Sequence, residues 1–267
     1  MRMPSSDATR PQLAYQRTPL TEVEDRAWIA THLAHLELAR GRAADADKLA
    51  GHALELFPHY HYALGQLVKV RMAQGRRDEA VALLRRHVTA APHPENFYGL
   101  GVALLKAGKQ REAREILSAF EKKARAEMQG WDNANRELVM YYVEQARQPA
   151  KALEVARIEA GRRQDVYTLD ALAWALSASG RHGEARTAME KVLAVGIRDA
   201  AMLYRAGQIA MRQTDARAAL AYFERSLAAD PDSEYADAAR RSAAQLRAVA
   251  ARNVTLPVNA AVSKQGP

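Results

Sequence analysis

GRAADADKLAGHALELFP, Gly41 to Pro58, returns 34 residues later as GRRDEAVALLRRHVTAAP, Gly75 to Pro92. Each stretch opens on glycine, carries an alanine at the same place (Ala46, Ala80) and closes on proline. GKQREAREILSAF sets Gly108 and Ala113 one residue short of a further such step, and GRHGEARTAMEKVL sets Gly180 and Ala185 in the same relation. TDARAALAYFERSLAADP then supplies Ala219, Phe223, Leu227 and Pro231, with 34 residues between Ala185 and Ala219. A fixed period of this length is the signature of a stacked repeat, in which each unit buries its apolar face only against its neighbours.

Upstream of each glycine lies a second helical pattern. Leu33/Ala34, Leu67/Val68, Leu100/Gly101, Leu172/Ala173 and Ala206/Gly207 hold matching places in it. Each repeat therefore reads as helix, tight turn, helix. A small residue in the first helix and alanine in the second let two backbones approach closely. Glycine ends the first helix, where a positive φ suits a residue without Cβ. Proline ends the second by removing a donor.

This is the pattern of the tetratricopeptide repeat (TPR), which residues 27 to 231 resemble over six hairpins. ALELFPHYHYALGQL, NRELVMYYVEQ and DVYTLDALAWAL resemble more narrowly a set of bacterial TPR proteins without a settled function. The resemblance implies an all-α, right-handed α-solenoid. DSEYADAARRSAAQLRAVA behind the sixth hairpin reads as a capping helix, with Tyr235, Ala239, Leu246 and Val249 covering the last apolar edge. The expected organisation is a flexible arm over 1–17, one solenoid domain over 18–250 and a flexible tail over 251–267.

The period breaks at one place. From Ala113 to Ala152 the step is 39, because FEKKARAEMQGWDNANRE lengthens the second helix of the third hairpin. Gly130 should end that helix and Asp132 or Asn133 should cap the next. The fourth hairpin, VMYYVEQARQPAKALEVA, has neither turn glycine nor closing proline. At the front, Thr18 with Pro19, or Thr21 with Glu24, offers a helix start.

Composition agrees with a helical protein. Hydrophobic residues make up 48% of the 267, aromatic ones only 6%, and there are 14 glycines and 10 prolines. No cysteine is present, which excludes thiolate catalysis and cysteine-ligated zinc. No apolar run approaches a membrane span, and the start shows no secretory core, so a cytoplasmic chain is expected. The formal charge of +8 is spread over the sequence.

YTLDALAWALSASGRHGEA, Tyr167 to Ala185, gathers Asp170, Ser177, Ser179, His182 and Glu184 like an active site. A nucleophile elbow, however, needs strand, turn and helix around Gly-x-Ser-x-Gly, which this chain lacks. The period makes the segment a first helix, a turn and the start of a second helix. No catalytic, cofactor or metal residue is assigned. For the histidine pairs His32/His35 and His59/His61 no nearby cysteine or carboxylate set completes a tetrahedral site.

The resemblance places the first helices along a concave groove. Its inward positions, taken by register, hold Trp28, His32, Tyr62, Tyr98, Glu137, Tyr141, Asp170, Trp174, Tyr204, Arg205 and Gln208. Rings with a polar edge are enriched at interfaces, so these positions predict a groove for a peptide or partner helix. In charge, Glu95, Glu137, Glu144 and Asp170 sit at its middle and Arg205 and Arg212 at its far end. Some TPR domains hold a terminal carboxylate with lysines and asparagines in their first three hairpins. Thr31, His35, Gln66, Glu95 and Gly99 stand there instead. The rival reading is an RNA-binding helical-repeat protein using the basic surface. Its base-reading place holds Thr31, Gly65, Tyr98, Glu137, Asp170 and Tyr204, in which no code is visible.

Overall fold

The computed structural model describes residues 18–19, 22–231 and 233–254, and these contain thirteen α-helices and no strand. The helices are α1 Val23–Ala39, α2 Ala43–Leu56, α3 His61–Ala73, α4 Arg77–Ala90, α5 Pro94–Lys106, α6 Gln110–Glu127 and α7 Asn135–Met140. They continue with α8 Pro149–Ala160, α9 Val166–Ala178, α10 His182–Ala194, α11 Ala200–Arg212, α12 Ala216–Ala229 and α13 Ala236–Val254. A π-helical turn, Tyr141–Gln145, extends α7. Paired in order, α1 to α12 make the six expected hairpins. Among the described residues no helix is long and apolar enough to cross a membrane.

Contacts divide the chain into two compact units, meeting between Glu137 and Leu138. In the N-terminal unit α1 packs on α2, α3 on α4 and α5 on α6, and α3 also packs on α1 and α2. Ala34, Ala46, Ala50, Leu64, Leu67, Val70 and Leu83 form one layer of its core. In the C-terminal unit α9 packs on α10 and α11 on α12, while α13 covers α12. Ala173, Leu176, Ala185, Met189, Val192, Met202 and Ile209 fill the layer between the fifth and sixth hairpins.

The repeat positions do what their chemistry requires. Ala46, Ala80, Ala113, Ala152, Ala185 and Ala219, one per second helix, are all fully buried. A Cβ on Gly207 would come within 2.5 Å of the Phe223 ring, and one on Gly101 within 2.5 Å of Leu117. Only glycine permits those two approaches. α2, α4 and α12 each stop two residues before Pro58, Pro92 and Pro231.

Four expected details shift. α6 ends at Glu127, three residues before Gly130, whose N–H donates to the Glu127 carbonyl. The Asn133 side chain accepts the Asn135 N–H at 3.0 Å, as a cap should. α1 begins at Val23 with no side-chain cap from Glu22, and Thr21 lies outside the described residues. In the capping helix Ala239 and Ala243 are buried and Leu246 packs on them, but Val249 is exposed and Tyr235 turns elsewhere. α13 runs to Val254, four residues into the expected tail. The expected arm over 1–17 lies outside the described residues.

Candidate binding site

The regular hairpins turn through Gly41, Gly75, Gly108 and Gly180 at φ between 72° and 76°. In each, the residue after the glycine donates to a carbonyl five positions back, as Arg181 does to Leu176. In the fourth hairpin the corresponding bond runs from Gln148 to Tyr142, six positions back. One residue has been inserted, and the π-helical turn is where the helix absorbs it. The turn position then falls on Arg147, held at φ 55°. Left-handed backbone disfavours a residue with a Cβ by roughly 1–2 kcal/mol. Both irregularities send a side chain, Glu144 and Arg147, into the same place.

That place is a pocket of about 510 Å³ within the C-terminal unit. α9 contributes Trp174 and Ala178, one turn apart. α11 contributes Tyr204, Gln208 and Arg212, spaced i, i+4, i+8 on one face. Val143, Glu144, Arg147 and Pro149 come from the fourth hairpin, and Tyr235 from the residue before α13.

The polar groups form a connected set. The Glu144 carboxylate accepts from Trp174 Nε1 at 3.1 Å and from the Tyr235 hydroxyl at 3.0 Å. Burial pushes its pKa up, against the opposing charge of Arg205 and these hydrogen bonds. Tyr235 stacks on Tyr204 with centroids 4.8 Å apart and lies under the Arg205 guanidinium. Gln208 donates to the Tyr204 hydroxyl at 3.1 Å. Burial raises the Tyr204 pKa, and Glu144 adds to the rise. Arg212 lies over the Trp174 ring at 5.1 Å and donates to Ser177 Oγ at 2.9 Å.

Beneath the pocket Arg205 grips Asp170 with two hydrogen bonds, of 2.8 and 2.5 Å. At 2% and 0% exposure these charges are sealed from solvent. They brace α9 against α11 and are not available to a ligand. Asp170 holds the guanidinium charge more firmly than usual in spite of its burial. Most of the remaining polar side chains of Tyr167–Ala185 are also engaged within the fold. Ser177 accepts from Arg212, Ser179 donates to the Pro149 carbonyl, and Glu184 pairs with Arg181. The His182 backbone carbonyl accepts from Gln213, while the His182 ring Nδ1 is buried without a hydrogen-bond partner among the described residues.

Of the residues placed by register, Trp174, Tyr204 and Gln208 line this pocket. In the N-terminal unit Trp28 is 51% exposed with its ring on His32, and Tyr62 is 60% exposed beside His61. Tyr98 packs half-buried on Phe120. Glu137 pairs with its neighbour Arg136, and Tyr141 lies half-buried beside Tyr142. Register reasoning missed Arg147 and gave Tyr235 a different task. The missing turn glycine in ARQP was the available signal for Arg147.

Models of the tetratricopeptide repeat match residues 37–100 and 171–234. No curated protein matches the sequence. Among solved structures, a TPR protein from Parabacteroides merdae aligns at TM-score 0.57 and 15% identity, over 90% of this chain and 91% of that one. PilW, a type IV pilus biogenesis factor, aligns at 0.51 and 22%, over 79% and 97%. Yeast Tom70 aligns at 0.51 and 12%, over 92% and 58%. At these identities the likeness concerns the fold.

Proposed function

We propose that this tetratricopeptide repeat chain serves as a protein–protein interaction scaffold and binds an extended peptide or partner helix among the first helices of its C-terminal unit, anchored in the pocket there. The observation that carries this reading is the convergence of Trp174, Tyr204 and Tyr235 on one open pocket, each with a polar edge directed into a hydrogen-bond network. Rings so held supply contact area at little entropic cost and are the residue types that dominate binding energy. We ascribe no catalysis to it. Ser177 is hydrogen-bonded to a guanidinium rather than to a base, and Asp170 is paired.

The test is a random-peptide display selection on the full chain. The selected peptides should lose at least about tenfold in affinity with Tyr204→Ala, whose truncation removes one wall of the pocket. Enrichment of no sequence, or affinities indifferent to that substitution in a folded variant, would refute the reading. A filter-retention assay with mixed RNA settles the rival: tight, salt-steep retention would favour nucleic acid.

A further inference from the structure

The chemical class of residue that the pocket accepts can be read from its charges. Arg205 has a carboxylate. Arg147 and Arg212, the two guanidiniums at the pocket, have none among the described residues. Arg212 makes its contacts to a neutral ring and a hydroxyl. Burial disfavours its charge, Tyr204 favours it, and the like charge of Arg147 is a smaller opposing influence. A glycine at 147 would suit the turn better, since four other hairpins use glycine there and only the sixth, at Thr214, also turns without one. The one carboxylate in the pocket, Glu144, is half-buried and occupied by Trp174 and Tyr235.

We propose that Arg147 and Arg212 together seat a carboxylate of the partner polypeptide, either an acidic side chain or a chain end, with an adjoining ring against the half-buried Tyr204. This rests on the peptide-binding reading above. Guanidinium groups present forked donors that match a carboxylate. The Tyr204 hydroxyl and the Gln208 amide lie on the same helix face as Arg212 and supply neutral polar contacts beside it. Charge complementarity therefore selects an acidic, aromatic segment.

The experiment uses the full chain and fluorescein-labelled nonapeptides with a central tryptophan. Their flanks are glutamate or glutamine, and each is made as free acid and as C-terminal amide. In anisotropy titrations the glutamate peptides should bind about tenfold tighter than the glutamine ones, with the gap narrowing at high salt. Arg147→Gly and Arg212→Gln should each reduce the gap to about threefold or less, the loss of one of two charge-assisted contacts. The first variant is chosen because glycine suits the backbone there, so melting should not fall. Equal binding of acid and amide glutamate peptides assigns the side chain as the source. Equal binding of the glutamate and glutamine free acids, with both amides weaker, assigns the chain end. Equal binding of all four peptides overturns the carboxylate and leaves the peptide reading standing. Binding of none overturns both. A preference that survives both arginine variants shows that the anion sits elsewhere, and overturns the assignment.

Discussion

The first helices of the two units carry the same kind of sequence signal and put it to different use. In the N-terminal unit Trp28 and Tyr62 stand largely in solvent, and among the described residues their rings lie against a histidine or another ring nearby in sequence. In the C-terminal unit Trp174 and Tyr204 are folded against partners from other hairpins. The buried carboxylates of the first helices, Glu37 and Asp170, divide in the same way. Glu37 is buried, but its partners are Arg40 and Arg42 on the adjacent turn, both open to water. Asp170 and Arg205 meet across 35 residues of sequence with neither reaching solvent. The pairing of Glu37 is local and lies at the surface. Pairing between hairpins, with a π turn and a capping tyrosine to close it, makes a pocket.

The strongest way to break this contrast is to remove one charge from each pair. Asp170→Ala strands a guanidinium in the interior and should cost about 3–5 kcal/mol. Glu37→Ala frees two arginines already able to reach water and should cost under about 1 kcal/mol. Urea unfolding of the two full-length variants checks this, and equal losses would dissolve the distinction. Next in size is the tryptophan pair. Trp174, 6% exposed, should lose about 3–5 kcal/mol on truncation to alanine. Trp28→Ala should shift stability by less than about 1 kcal/mol, as an exposed substitution does. The same denaturation series compares them.

Much of the fold was legible because the period is enforced by steric constraints at single positions. The alanines of the second helices must be small, Gly101 and Gly207 must lack a Cβ, and Gly180 must turn left-handed. Such requirements leave marks that self-comparison finds. The pocket was legible only in part. Trp174, Tyr204 and Gln208 follow from helical register, but register cannot say that Asp170 and Arg205 will neutralise one another. That depends on the distance between two helices in different hairpins. Nor can it place Tyr235, which precedes a helix and obeys no repeat. The sites that a period explains worst, the π turn and Arg147, are where the pocket is built.

A smaller effect sharpens that last point. Gly180 and Arg147 hold corresponding turns at φ 76° and 55°. Gly180→Ala places a Cβ in left-handed backbone and should cost about 1 kcal/mol. Arg147→Gly relieves the same conflict, offset by the greater entropy of an unfolded glycine, so melting should hold or rise slightly. A clear fall in melting temperature for Arg147→Gly in calorimetry would mean that the arginine side chain stabilises the turn. Its position would then need no explanation in binding.

The smallest expected effect separates the units by the sign of their response to acid. The hydrogen bond from Arg42 holds the Glu37 pKa below its ordinary 4.5, despite burial. Burial instead pushes that of Glu144 above 4.5. For Glu37 the unfolded chain takes the proton first as pH falls. Its contribution is therefore present above 4.5 and is lost as pH drops through the lowered folded value. For Glu144 the folded chain holds the proton more tightly. Its contribution is complete below 4.5 and is lost as pH rises through the raised folded value. Unfolding free energies of the wild type, Glu37→Gln and Glu144→Gln, measured from acid to neutral pH, isolate the two terms by difference. The advantage of wild type over Glu37→Gln should grow with pH, and its advantage over Glu144→Gln should shrink. Profiles that slope the same way would show that Glu144 is kept ionised by Tyr235, Trp174 and Arg205. A full negative charge would then stand at the back of the pocket, and the two arginines would already have an anion to face.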